Sequence, residues 1–409
     1  MDPAETTKAA EPKKTEHLSM GELAGYFFKL GWLAFGGPVG QIGMMHLDCV
    51  ERRQWLTEEE FLRALNFCHV LPGPEAMQLA IYLGSRKRGP TGGLLAGLLF
   101  LMPGFLSLVT LGWIYVHLGT RPEVLSILWG FRPVGLALIL AALVRISRAA
   151  LKTAPLKGLA VLAFIAFFLL HVGFAWVLLG CGVLHLAQAR LGPNGGGNTK
   201  AASALWLLLP AASAGLTDPA VTRLLDISWF FLKTGLLSFG GAYAVLPLIR
   251  EGAVTHYGWI TDAQMIDALA LGETTPGPLI SIGIFIGYLA GQSVDHPLLG
   301  ALCATFWLFS PSFVFVLAGA PYVDSLTRRP EIKAFLTGVT AGVVGLMLSV
   351  SVLLAKVTVL RHGHVDGPTV LLGLCAFVTV TFWKHRLNVV TVVLASGALG
   401  LLRAFALAC

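Results

Sequence analysis

The sequence predicts an all-α polytopic membrane protein built from two homologous halves, and three observations carry that prediction. Of 409 residues, 56% are hydrophobic and only 12% are charged, which is far from the usage of soluble domains. A repeat runs through the chain without a gap. Adding 204 to a residue number takes Phe27 to Phe231, Lys29 to Lys233, Gly31 to Gly235, Phe35-Gly36-Gly37 to Phe239-Gly240-Gly241, Trp55 to Trp259 and Pro72-Gly73-Pro74 to Pro276-Gly277-Pro278. The repeated apolar segments are also broken, by Gly36 and Gly37 before Pro38 in one and by Pro72-Gly73-Pro74 in the other. A proline removes the hydrogen bond that would continue the turn before it but fits the start of a new helix. Each break therefore reads as two half-helices meeting. Paired interruptions at matching places in two halves point to the substrate site of a secondary transporter. A plain kink for helix packing is the competing reading, and two copies in register weaken it.

Residues 1–19 are polar, with two prolines and no apolar run, so they read as a tail and not as a signal peptide or core element. Segments at 22–46, 61–84, 92–117 and 123–146 are each long enough to cross about 30 Å of hydrocarbon. Two shorter runs, 157–170 and 174–187, fit either a tight hairpin or two thin spans, which closes a first repeat domain at 20–187. A linker at 188–227 follows, Gly-rich at its start and with an apolar piece at 203–215. The second repeat domain, 228–409, has apolar segments at 228–249, 265–290, 298–319, 331–354, 368–383 and 388–407. Between the broken segments, Thr57 and Glu60 form a capping-box pattern, and Trp55 and Trp259 suit the aromatic belt of the interface.

The net charge of +7 comes from basic residues in short loops between apolar runs, which favours membrane anchoring over nucleic acid. If the first two segments both span, the tail lysines Lys8, Lys13 and Lys14 share a face with Arg86, Lys87, Arg88, Arg145, Arg148, Lys152 and Lys157, while Arg52, Arg53, Arg63 and Arg121 take the other. The richer face is then cytoplasmic. The second half distributes its basic residues in the opposite sense, with Arg250, Arg328, Arg329, Lys333, Lys384 and Arg386 gathered on the face that parallel halves would put outside. That pattern favours inverted repeats. Six scattered cysteines without C-x-x-C spacing support neither a zinc site nor a disulfide framework. No Walker-type loop, H-E-x-x-H pattern or other nucleophile arrangement is present, so no metal, cofactor, ATP-driven pumping or enzymatic activity is expected.

The Phe-Gly-Gly segment, the Trp-x-Thr stretches at Trp55 and Trp259, the Pro-Gly-Pro segment and the following RKRGPTGGLLAGLLFLMPGF resemble the chromate ion transporter family in its long, two-domain form. The resemblance covers nearly the whole chain beyond the tail. It implies movement of the chromate dianion across a bacterial inner membrane, outward in resistance, with sulfate as the structural mimic. The partners it implies are chromate, sulfate as carried ion or competitor, and membrane lipids; a homodimer is left open.

A small tetrahedral dianion is recognised by hydrogen-bond donors, and the start of a helix supplies them together with a favourable dipole. The candidates are the N–H groups of Glu75, Ala76 and Met77 after Pro74, and those of Leu279, Ile280 and Ser281 after Pro278. Gly36, Gly37, Gly240 and Gly241 would admit close backbone approach, with Ala242 standing where the first repeat has Pro38. Lys29 and Lys233, about two turns into their segments, are candidates to neutralise the anion, against the reading that they snorkel to headgroups. Arg132 is a further cation without a repeat partner, read as snorkelling or structural pairing. Glu75 either caps its own helix or, when protonated, clears the site and couples proton to anion movement. In the second repeat Leu279 replaces it, and Glu273 stands where the first repeat has His69. The sequence thus predicts a carrier of chromate with its site between two broken cores. An anion channel or an uptake transporter for sulfate-type oxyanions is the alternative.

Overall fold

A computed structural model describes residues 18–35, 37–191, 218–239, 242–320, 329–361, 364–383 and 388–408. The first repeat opens with α1 (Met20–Leu33), started by a capping box between Ser19 and Glu22. After a break the chain resumes as α2 (Gly37–His46) and a π-helical turn, Leu47–Arg52. The returning arm comes back to the beginning of α1. Tyr26 Oη lies 3.4 Å from Cys49 Sγ, its ring centroid is 4.9 Å from that of Trp55, and the Arg53 guanidinium covers both rings. The second broken segment behaves alike. α3 (Glu58–Val70) starts at the Thr57–Glu60 capping box, turns at Pro72-Gly73-Pro74, and returns as the first part of α4 (Glu75–Leu118). Phe67 meets Tyr82, and Arg86 Nη2 comes within 3.7 Å of Glu60.

Both broken segments are therefore hairpins, where hydropathy alone reads two crossings. The physical reason lies at the breaks. Gly73 has φ +132° and is followed by extended backbone at Pro74, a combination that reverses the chain instead of bending it. α4 is itself interrupted at Arg88 and Gly89, and the piece beyond Pro90 is the first helix of the chain to run across the fold unbroken. α5 (Pro122–Ala150), α6 (Ala154–Phe168) and α7 (Phe174–Leu191) complete the first half.

The second half repeats the plan with α8 (Pro219–Leu236), α9 (Leu246–Ile249), α10 (Asp262–Thr274), α11 (Ile282–Gln292), α12 (Pro297–Gly319), α13 (Pro330–Val359), α14 (Gly367–Phe382) and α15 (Asn388–Ala408). Its hairpin base copies the first one: Phe230, the mate of Tyr26, packs edge-on to Trp259 at 5.4 Å. Among the described residues six helices are long and apolar enough to span a bilayer, within 75–118, 122–150, 174–191, 297–319, 330–359 and 389–406. The chain is a multi-pass α-helical membrane protein.

Lipid tails are as apolar as leucine, so helix association here rests on close packing and internal hydrogen bonds, not on burial from water. Small residues supply the closeness. A Cβ on Gly31 would lie 2.9 Å from the carbonyl oxygens of Leu99 and Phe100, and Gly235 faces the Leu308 carbonyl in the same way. The halves also exchange helices. α5 packs against α14 and α15, whereas α13 packs against α6 and α7, so neither half buries its long central helix by itself.

Candidate anion-binding site

The hairpin tips meet across the two halves, and they do so reciprocally. The Gly73 N–H donates to the Ser238 carbonyl at 2.9 Å, and the Gly277 N–H donates to the Ala34 carbonyl at 3.1 Å. Residues 34 and 238 are repeat mates, as are 73 and 277. Each Pro-Gly-Pro turn thus docks on the Gly-Gly break of the other half. Gln41, fully buried on α2, reinforces one junction: its Nε2 donates to the Ala34 carbonyl at 3.0 Å and to the Gly277 carbonyl at 2.6 Å. Non-helical backbone of this kind survives at membrane depth only where protein or a cavity surrounds it.

A cavity of about 1410 Å3 opens onto that junction. It is lined by His46 and Glu51 at the base of the first hairpin, by Arg145 and Arg148 towards the end of α5, by Trp383 and Val389 from the second half, and by Phe35, Gly37, Tyr243 and Glu273. A pocket of about 10 Å3, bordered by Ala34, Gly37, Glu273, Thr275, Gly277 and Leu279, continues it to the second Pro-Gly-Pro turn. That volume holds about one water and no oxyanion, so an anion would sit in the cavity against the junction. Two arginines, Arg145 and Arg148, both exposed on α5, present charge to the cavity. The buried carboxyl of Glu273 accepts a hydrogen bond from Tyr243.

Of the residues singled out by sequence, Gly37 lines the cavity and Gly277 the small pocket. Pro72, Gly73 and Pro74 are buried in the other junction, and Pro276 and Pro278 are buried behind Gly277. Gly36, Gly240 and Gly241 lie outside the described residues, as do the tail to residue 17 and the linker residues 192–217. After Pro74 the first helical bond is that of Gln78, which leaves the N–H groups of Glu75, Ala76 and Met77 without a helical partner. After Pro278 a 3-10 turn spends the Ser281 N–H on the Pro278 carbonyl, so Leu279 and Ile280 are the remaining donors.

Neither Lys29 nor Lys233 is among the residues that line the cavity. Lys29 is exposed on the face of α1 that also shows Phe28 and Trp32, and it does not line the cavity. Lys233 is half-buried with its ammonium 5.6 Å from the Trp229 ring. Glu75 faces His69 at 3.4 Å, also away from the cavity. Arg132 is a structural partner: its Nε and Nη2 donate to the fully buried Asp267 carboxylate at 2.9 and 3.1 Å, and Tyr115 Oη donates to the same group at 2.9 Å. Arg145, Arg148, Tyr243 and Gln41 are what sequence reasoning missed as site residues. Arg145 and Arg148 read as loop cations because they stand at and just beyond the end of the apolar segment 123–146, whereas α5 continues to Ala150. Tyr243 has Val39 as its mate and Gln41 has Val245, so no repeat signal marked either.

The sequence profile described as Chromate transporter matches residues 21–186 and again 225–401. The chain is 36% identical to a Chromate transport protein of Pseudomonas aeruginosa over 97% of this chain and 96% of that one. It is 33% identical to a Chromate transport protein of Cupriavidus metallidurans over 98% and 97%, and 32% identical to a Probable chromate transport protein of Synechococcus elongatus over 90% of each. No solved structure matches the chain. A profile that falls once on each broken-helix repeat, together with full-length relatives, fixes the assignment: the chain belongs to the chromate transporter family.

Proposed function

We propose that this protein carries chromate out of the cell by alternating access, binding the dianion at the inner end of the cavity where the Gly37 break meets the second Pro-Gly-Pro turn. The observation that carries this reading is a cavity lined by Arg145 and Arg148 together with Gly37 at the break of one half and Glu273 beside the second Pro-Gly-Pro turn of the other. The arginines supply the charge that backbone dipoles lack, and their planar donors suit oxyanion oxygens. Gly37, which lines the cavity, lets backbone approach the anion. Lys29 and Lys233, neither of which lines the cavity, serve anchoring. Among the described residues the cavity and the pocket behind it reach no further than the second Pro-Gly-Pro turn, which supports a carrier over a channel. The relatives named for chromate transport support chromate as cargo; sulfate, of the same shape and charge, would compete.

The halves are inverted in this reading. The hairpin bases bring Arg53 and Arg86 to one face; α4 beyond Pro90 leaves that face and α5 returns to it, so Arg145, Arg148 and the cavity mouth lie there too. Turning the second half over adds Arg329 and Lys333 to the same face. That concentration makes it cytoplasmic, and the cavity is then poised to load from the cytoplasm. Radiolabelled chromate flux into inside-out vesicles tests the proposal. Arg145→Ala and Arg148→Ala should each lower the initial rate by about tenfold or more, one lost ion contact being worth that much at low dielectric, whereas Lys29→Ala should lower it severalfold at most. Equal losses in all three, or saturation-free currents of single-channel size, would refute it.

A further inference from the structure

Glu273 is an acid in an unusual place. It ends α10 just before the second Pro-Gly-Pro turn, is only 7% exposed, and borders both the cavity and the small pocket behind it. Tyr243, from the turn that precedes α9, donates to its carboxyl. Arg145 of α5 lines the cavity together with it. Tyr115 and Arg132, on the neighbouring α4 and α5, are committed to Asp267 one and a half turns earlier on α10. Arg148, Glu51 and His46 line the same cavity. The matching position of the first repeat is His69, which pairs with Glu75 outside the cavity. Among the described residues, Glu273 is the carboxyl that borders both the cavity and the small pocket behind it.

We infer that Glu273 is the proton carrier of the transport cycle, taking up one proton as the dianion binds and releasing it when the dianion leaves. This rests on the anion reading above. With Glu273 ionised, the Arg145 charge is shared between a carboxylate and the arriving dianion, and the two negative groups repel. A proton from the cavity water adds to a carboxylate oxygen, giving the neutral acid and freeing Arg145 for the substrate; no other bond changes. A like charge beside an acid favours its protonated form, and linkage makes the effect mutual: the proton tightens anion binding by the same factor that the anion tightens proton binding. The pair then moves as one dianion with one proton, a net single negative charge. Outward movement is driven by an interior-negative potential and opposed by an interior-alkaline gradient. Tyr243 holds the ionised form in place between cycles.

The test uses the purified full chain in lipid nanodiscs with a pH-indicator dye in weak buffer, at a pH alkaline enough that chromate is wholly the dianion. Chromate addition should draw about one proton from solution per anion bound, and on the alkaline limb the apparent affinity should fall by up to about tenfold per pH unit. Glu273→Gln should bind chromate with no proton uptake and with affinity independent of pH. If that variant does not fold, Tyr243→Phe serves: proton uptake is retained but its pH profile moves to higher pH, because the carboxylate has lost a donor. Proton uptake that persists in Glu273→Gln, or that disappears instead in Glu75→Gln, overturns the inference, as does wild-type binding without proton uptake. Wild-type protein that binds no chromate overturns the anion reading itself, and this inference with it.

Discussion

Gly73 and Gly277 occupy the same place in the two repeats and adopt the same left-handed backbone, φ +132° and +108°, yet their surroundings differ. A Cβ on Gly73 would run into Ser312 Oγ and the Gln78 amide, whereas the nearest atom to a Cβ on Gly277 is Gly104 Cα at 3.5 Å. Alanine at Gly277 therefore costs only the backbone strain of about 1–2 kcal/mol; at Gly73 it adds displacement of two buried polar side chains. Thermal unfolding in detergent should rank Gly73→Ala below Gly277→Ala, and the reverse order would contradict this packing. The Arg132–Asp267 pair is asymmetric too, since the arginine side chain is 35% exposed and the carboxylate fully buried. Arg132→Ala strands a buried charge and should cost about 3–5 kcal/mol, while Asp267→Ala leaves a cation that still reaches solvent and should cost less. The glycines were legible in the sequence because the chain repeats them. The pairing of Arg132 was not, because its partner is supplied by the other half and neither residue has a mate of like chemistry.

At the scale of elements, the breaks could be read and the reversals could not. Gly and Pro announce that a helix stops, but a hairpin of two apolar arms and a single bent crossing have the same hydropathy, and both satisfy their backbone internally. The contacts that decide are between residues far apart in sequence: Tyr26 with Trp55, and Glu60 with Arg86. They change the count of charges on each face. Arg53 and Arg88 fall on opposite faces if the segment from 61 to 84 crosses, and on the same face if it turns back at Pro72-Gly73-Pro74. Single cysteines at Arg53 and Arg88, in a background without the native cysteines, should both react with a membrane-impermeant maleimide from the cytoplasmic side only. Labelling from opposite sides would restore the crossing and undo the hairpin.

For the whole molecule, the exchange of α5 and α13 between halves explains why two copies of one plan make one body. Each long helix is buried by the two terminal helices of the opposite half, and each Pro-Gly-Pro turn is satisfied by the opposite break. Such reciprocity follows from a two-fold axis relating the halves, and an axis lying in the membrane plane brings hairpins entering from opposite faces tip to tip. Hairpins entering from one face would meet side by side, and their bases would meet as well as their tips. Each described base is closed by its own residues: Arg53 covers Tyr26 and Trp55 of its own hairpin, while Arg250 binds Asp262 of its own, with Nε 2.7 Å from the carboxylate. His256, exposed at the base of the second core, is the counterpart of the Arg52–Arg53 edge. In intact cells the maleimide should therefore label His256→Cys and spare Arg53→Cys, with the pattern exchanged in inside-out vesicles. A shared pattern would mean parallel halves; the cavity would then lack a mirror-image counterpart on the other face, and alternating access would have to come from some motion other than the exchange of two equivalent cores.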